Sequence, residues 1–387
     1  MIRQDRQAQR NPFKPSAGHT PPLLIGRDED IEDFTEGLDD GSGAPSRLMR
    51  VTGARGVGKT VLLSEFARIA RGRGWEVVRE SASKGLAARL VTKLQPDGKG
   101  AFGFKIAPSV NVAGVAGGSL GEFHYESAQQ MPLTLSDALR RRLIELEKRE
   151  AGLLITIDEA QAADKDDMVA IATAAQEMNT EDRDYALVFA GLPSMSSKWL
   201  NDDATTFMRR AEPHALDDVP LDDVADAFES TFAESGMSIV GEPLRVATEA
   251  THGYPFMIQL VGYHIWRLAR RQHPDDSAVT VEDAERGIAK ALSRLGDTVH
   301  GPELDSLSPV DRTYLLAMAQ DDGPSSTSAI AARMGKSAGY AGTYRTRLLE
   351  AQVIEERGYG KVDFAIPYLR EYLREHAAYI RMGVEGE

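Results

Sequence analysis

The stretch Gly53-Ala54-Arg55-Gly56-Val57-Gly58-Lys59-Thr60 constrains this chain more than any other. It reads G-x-x-x-x-G-K-[ST], and its residue types set its chemistry. Glycines let the backbone turn tightly and point successive N–H groups inward, forming a nest for an anion. Lys59 supplies a point charge for β- and γ-phosphates, and Thr60 supplies a hydroxyl for Mg²⁺. Leu48 to Thr52 is a short apolar run leading into the loop. Val61, Leu62, Phe66, Ile69 and Ala70 recur at helical spacing, so the loop opens a helix whose N-terminus faces the phosphates. The plain alternative is a Gly-rich turn that holds nothing; the strand–loop–helix context argues against it.

The rest of the chain supplies a frame for this loop. Trp75 to Glu80 reads as a second strand and Gly85 to Leu94 as a helix. Ser136 is expected to cap a helix bearing Leu139, Leu143 and Leu146 on one face. Leu153 to Ile157 is a continuous apolar run, as in a strand buried on both faces of a sheet. Met168, Ile171 and Met178 mark a further helix. Tyr185 to Ala190 is another buried-type strand, ending at Gly191-Leu192-Pro193-Ser194. Strands and helices alternate to about Leu221, which predicts an α/β fold with a parallel sheet and helices on both faces. Beyond Asp222 the pattern is helical only, with Val224, Phe228 and Phe232 on one helix, Pro255 to Arg271 forming a second, and Thr280 capping a third. From Gly301 come three short helical patterns, a hairpin around Gly358-Tyr359-Gly360, and a last helix with Tyr368, Leu369, Tyr372 and Leu373.

Composition excludes several classes. A chain of 387 residues with 42% hydrophobic and 27% charged residues can build more than one core. With no cysteine, disulfides, thiolate metal sites and cysteine nucleophiles are ruled out. A net charge of -14 argues against a generally basic nucleic-acid surface while allowing a local patch. No apolar run reaches transmembrane length, and Met1 to Gln9 has no apolar signal core, so no membrane partner and a cytoplasmic location are expected.

Asp158-Glu159 closes the third apolar run. An acid at a strand's carboxyl end reaches the Mg²⁺ held by Thr60, and Glu159, one position on, can polarise a water in line with the γ-phosphate. Either acid alone is weak evidence, and an N-cap pair is the plain alternative; paired with the phosphate loop they define an ATP·Mg²⁺ site.

These motifs resemble the AAA+ class of P-loop ATPases, and within it the branch of archaeal-type and origin-recognition initiator ATPases. The resemblance also rests on Asn11-Pro12-Phe13, Pro21-Pro22, Gly26-Arg27-Asp28, Ile157 to Gln161, Gly191-Leu192-Pro193 and Gly253-Tyr254-Pro255-Phe256, and covers nearly the whole chain. It implies an extended N-terminal arm over 1–25, a nucleotide-binding core over 26–221, a helical lid over 222–298 and a winged-helix domain over 299–387. The core would carry a Gly-rich insertion at 95–130, read either as a surface loop or as a hairpin that touches a partner. Ile25, Gly26 and Arg27 would sit near adenine, with Pro255 on the lid side. At the sensor position the usual Asn or Thr is absent and Ser194 is the candidate substitute. Pro and Phe stand where a lid arginine is common. Both departures bear on hydrolysis more than on binding. Arg209 and Arg210 occupy the region from which an arginine finger for a neighbouring subunit's γ-phosphate comes, or they are solvated surface.

The last unit would contact double-stranded DNA through residues 326–363, with Tyr340, Tyr344, Arg345 and Arg347 on a recognition helix and Arg357 and Lys361 on the wing. Glu350, Glu355, Glu356 and Asp363 lie close by, so docking of a protein stays open. The expected function is an ATP-binding and ATP-hydrolysing switch coupled to the winged helix. The alternative is a nucleotide-gated DNA-binding or scaffold protein with negligible turnover. A small-molecule P-loop kinase is disfavoured because no acceptor-substrate domain is evident.

Overall fold

The computed structural model describes residues 10–16, 24–95, 133–193, 195, 203–273 and 277–380. Its centre is a five-stranded, all-parallel sheet of β1 (Leu48–Gly53), β2 (Glu76–Ser81), β3 (Leu153–Asp158), β4 (Tyr185–Gly191) and β5 (Glu212–Leu216), in the order β2-β3-β4-β1-β5. Every residue of β4 is buried, and so are the first five of β3, as their continuous apolar sequences require. The phosphate loop leaves β1 and the Asp-Glu pair leaves β3, at the same carboxyl edge of the sheet with only β4 between them. Strand β5 was not expected. It carries Pro213 and a charged first residue, and it sits at the sheet edge, where a missing N–H costs no ladder bond to an outer neighbour.

Helices α1 (Asp28–Asp40) and α2 (Lys59–Gly72) share one hydrophobic core, in which Phe34 and Phe66 stack at 4.2 Å. Helices α3 (Leu86–Leu94), α4 (Leu135–Glu147) and α5 (Lys165–Thr180) share the other. The cap of α4 is Thr134, whose hydroxyl accepts the Asp137 N–H at 3.1 Å, and not Ser136. The helix starts earlier because Leu135 is itself buried in the core. The Gly-rich segment at 95–130 lies outside the described residues from 96 onward, as does Ser194.

Four helices follow: α6 (Leu221–Glu234), α7 (Glu242–Glu249), α8 (Pro255–Gln272) and α9 (Val281–Leu295). The short α7 was not anticipated. The expected Thr280 cap of α9 is present as a capping box with Asp283. A π turn (Gly296–His300) leads into α10 (Gly301–Asp305). The last unit then runs α11 (Pro309–Met318), β6 (Ser325–Ser326), α12 (Thr327–Arg333), α13 (Ala338–Glu350), β7 (Ile354–Glu356), β8 (Lys361–Phe364) and α14 (Leu369–Glu375). Its strands pair antiparallel in the order β6-β8-β7, around a separate core that includes Tyr314, Ile330, Leu348, Val362 and Leu369. Among the described residues no helix is long and apolar enough to cross a membrane.

The N-terminal segment is more than an extended arm. Residues 10–16 strap the four-helix unit: Asn11 Nδ2 donates to the Tyr263 carbonyl at 3.0 Å, and the Lys14 N–H donates to Gln259 Oε1 at 3.0 Å. Phe13 is 4% exposed, with ring centroids 5.8 Å from Phe228 and 5.2 Å from Phe232. Its place exists because residue 262 is glycine; a Cβ there would lie 2.3 Å from the Phe13 ring. Phe13→Ala is expected to destabilise the protein by about 3 kcal/mol, the range for emptying a buried aromatic site. Urea denaturation measures it, and a loss below about 1 kcal/mol would show that the strap is only loosely seated.

Candidate functional site: a cavity between the sheet edge and the four-helix unit

At the carboxyl edge of the sheet the loop between β1 and α2 is held from three directions. Lys59, 6% exposed, turns its Nζ back to donate to the Gly53 and Ala54 carbonyls, each at 2.8 Å. Burial holds its pKa below the ordinary lysine value, against the raising effect of Glu159 and Asp158. Arg27, also buried, donates to the carbonyls of Val57 at 3.2 Å, Asp217 at 2.7 Å and Gly26 at 3.0 Å, which ties the loop to the chain just beyond β5. Burial lowers its pKa too. From the four-helix unit, the Tyr254 hydroxyl donates to the Arg55 carbonyl at 2.7 Å. Tyr254 is almost fully buried, which pushes its phenol pKa up. Its ring end lies so close to Gly56 that a Cβ at that position would meet the hydroxyl at 1.9 Å, and Gly56 also has a φ of +80°.

The acidic half of the site meets the loop directly. Thr60 Oγ1 donates to Asp158 Oδ2 at 2.6 Å across 98 residues of sequence. The other oxygen, Asp158 Oδ1, accepts the Glu159 N–H at 2.9 Å. Glu159 is exposed and holds a left-handed backbone, φ +53°, at the turn that leaves β3.

These groups border a cavity of about 830 Å³, within the size range of small-molecule sites. Arg55, Gly56, Val57, Gly58, Lys59, Thr60, Val61 and Glu159 line it, and so do the expected Ile25, Arg27 and Pro255. Gly53 and Ala54 face a second cavity of about 280 Å³ behind the loop, together with Asp218 and Glu355. Arg209 and Arg210 are exposed at the end of a 3₁₀ turn (Asp203–Arg210) before β5, and neither lines the main cavity.

Three charged lining residues were not foreseen: Lys14 from the strap, Arg294 from the last turn of α9, and Glu303 from α10. Nothing in the sequence of α9 marked Arg294 as a cavity residue. Glu303, 4% exposed, pairs with Arg55 of the loop at 2.6 Å. Burial raises the Glu303 pKa, and Arg55 only partly offsets this.

On the last unit, Lys336 Nζ lies 5.5 Å from the Tyr340 ring, Tyr340 and Tyr344 are 5.0 Å apart, and Arg347 stacks 5.5 Å over Tyr344. Of the four cations expected to meet DNA, three have internal partners: Arg345 with Glu356 at 2.7 Å, Arg347 with the buried Asp311 at 3.0 Å, and Arg357 with Glu355 at 2.5 Å. Tyr359 at the hairpin turn is fully exposed.

Comparison with known proteins agrees with this geometry. The AAA ATPase domain family matches residues 23–189, and a domain of unknown function (DUF8462) matches residues 297–373. No curated protein matches the chain. Among solved structures, the Walker-type ATPase paby2304 of Pyrococcus abyssi is similar at 17% identity and a TM-score of 0.65, over 91% of this chain and 96% of that one. The ORC2 protein of Aeropyrum pernix is similar at 13% identity and a TM-score of 0.62, over 96% of this chain and 98% of that one. Residues 23–189 thus match the AAA ATPase domain family, and over nearly its whole length the chain shares the fold of these two archaeal proteins.

The Glu303 environment gives a test with a definite sign. A carboxyl whose folded pKa lies above its ordinary 4.5 stabilises the fold in its neutral form. That contribution is complete below the ordinary value and is lost as pH rises through the raised one. Glu303→Gln cannot charge, and Arg55 is half exposed and tolerates losing its partner. The variant is therefore expected to be more stable than wild type at about pH 7.5, with the gap closing toward about pH 5. Urea denaturation over that range checks it; a gap independent of pH would contradict the assignment.

Proposed function

We propose that the chain is an ATP-binding and ATP-hydrolysing switch whose nucleotide state is felt by the C-terminal unit. The observation that carries the reading is the Thr60–Asp158 hydrogen bond, which joins the phosphate loop to the acidic end of β3 beside a buried lysine. The hydroxyl and carboxylate oxygens that meet there are hard donors of the kind that suits Mg²⁺. When bound, Mg²⁺ neutralises charge on the β- and γ-phosphates.

The chain's own groups divide the remaining work. Lys59 would exchange its two carbonyl partners for phosphate oxygens. Residues 53–61 would cradle the phosphates from the start of α2. Ile25 and Pro255 would border the base, with Arg27 acting through the backbone it holds. Glu159 would orient and deprotonate the attacking water. Adenine nucleotide fits the related Aeropyrum pernix protein, which was solved with ADPNP and ADP. Arg209 and Arg210, away from this chain's own cavity, would serve a neighbouring copy's site if the chain self-associates.

The unit over 299–387 is read as a winged helix, from its helix order and its β7–β8 hairpin. The internal pairing of Arg345, Arg347 and Arg357 leaves few cations for phosphate, which favours a protein partner or a weak duplex contact. A nucleotide-gated scaffold that does not turn over remains the competing reading, since the sensor position at Gly191–Ser194 holds neither Asn nor Thr.

Lys59→Ala is expected to lose ATP binding by calorimetry, and equal affinity in variant and wild type would sink the site. Glu159→Gln is expected to bind ATP normally while phosphate release falls on the order of a thousandfold. Absence of phosphate release from wild type, with ATP binding retained, would decide for the scaffold. Duplex DNA added to the same assay is expected to change turnover by less than about threefold if the partner is a protein; strong stimulation would assign the contact to DNA.

A further inference from the structure

Glu159 does not stand alone at the end of β3. A 3₁₀ turn (Ala160–Ala162) follows it and folds the Gln161 side chain back over the site. Gln161 Nε2 donates to Glu159 Oε2 at 2.5 Å, and Gln161 Oε1 accepts the Leu192 N–H at 3.1 Å. Leu192 is the first residue beyond β4, where the sensor group of the fold is expected. One amide therefore joins the acid to that strand end.

The partners fix which way the amide faces. A backbone N–H can bond only the amide oxygen, and an ionised carboxylate accepts only from the NH₂. Turning the amide over would oppose donor to donor at Leu192 and acceptor to acceptor at Glu159. The neighbouring backbone also makes room for it. A Cβ on Gly191 would lie 2.6 Å from Gln161 Oε1 and 3.1 Å from Met195 Sδ. Glu159 meanwhile holds a left-handed φ of +53°, a conformation unfavourable for a non-glycine residue. A carboxylate on a strained turn at an exposed position has many rotamers open to it. The Gln161 amide is what selects one.

The geometry points to Gln161 as the positioning residue for hydrolysis: it fixes the Glu159 carboxylate relative to the end of β4 and so takes on the work of the Asn or Thr that the sequence Gly191–Ser194 does not supply. The inference rests on the hydrolysis reading above. Gln161 acts through Glu159 and through Leu192, and no contact with nucleotide is required of it. Movement at the end of β4 would reach Glu159 through two hydrogen bonds.

The test uses the full chain with three changes that reach the amide from different sides. Gln161→Ala removes it. Gln161→Glu keeps its size but sets a carboxylate against Glu159. Gly191→Ala displaces its oxygen end from the strand, and the clashing atom is the tip of a flexible side chain. Each is expected to leave ATP affinity by calorimetry and KM within about twofold of wild type while kcat for phosphate release falls about ten- to a hundredfold, the usual cost of removing an orienting partner. Because all act on one link, Gln161→Ala combined with Gly191→Ala should be no slower than the worse single variant by more than about twofold. If Glu159→Gln abolishes turnover while Gln161→Ala and Gln161→Glu keep the wild-type kcat, this inference is overturned and the hydrolysis reading stands. If Glu159→Gln itself turns over normally, the hydrolysis reading fails and takes the inference with it. Loss of ATP affinity in step with kcat in all three variants would mean that Gln161 merely supports the fold, which also overturns it.

Discussion

The hydrogen bond from the Tyr254 hydroxyl to the Arg55 carbonyl is the contact on which the architecture turns. A phosphate loop is irregular backbone, and irregular backbone keeps a shape only when its polar groups have fixed partners. Here the carbonyls of Gly53, Ala54, Arg55 and Val57 all accept from side chains. Two of those donors, Lys59 and Arg27, belong to the sheet-bearing part of the chain. Tyr254 alone comes from the four-helix unit, and its bond closes the cavity by seating that unit on the loop. The contact demands glycine at position 56, because any Cβ would occupy the space of the phenol oxygen. One residue of the loop motif thus serves packing as much as phosphate geometry.

The sheet and the loop were legible in the sequence because their signals are local. Leu153 to Ile157 and Tyr185 to Ala190 are runs too apolar to be anything but buried strands, and the loop motif carries its own context. Strand β5 was not legible, because Pro213 and His214 mask it and its pairing with β1 is a tertiary fact. The cap of α4 was misplaced by two residues, since Thr134 and Ser136 are both good caps and only the burial of Leu135 decides between them. At the site, the motif residues came together as expected, yet Glu303, Arg294 and Lys14 reach the cavity from elements far away in sequence. The Gln161 bridge was hidden for a related reason. Its residue was visible in the Asp-Glu-Ala-Gln run, but its partner Leu192 is brought beside it by the β3–β4 neighbourhood.

In the last unit cations and acids are set against one another. Arginines 345, 347 and 357 stand among Glu350, Glu355, Glu356 and Asp363 along the chain. In the structure each lies against a carboxylate, and one of those, on Asp311, is buried. A charge with a fixed internal partner is a poor ligand for phosphate, because the old bond must be broken before the new one forms. The aromatic pair Tyr340 and Tyr344 is left as the more distinctive feature of that helix.

The ion pair between Arg55 and Glu303 ties the phosphate loop to the entrance of the C-terminal unit. Thermodynamic linkage makes such a tie symmetrical: if a ligand in the cavity draws Arg55 away, the seating of α10 changes by some free energy, and a partner that shifts α10 must change the ligand's affinity by that same amount. A binding curve for nucleotide, measured with and without whatever grips the last unit, would therefore report on an event at least 248 residues along the chain from Arg55 with no separate signal needed.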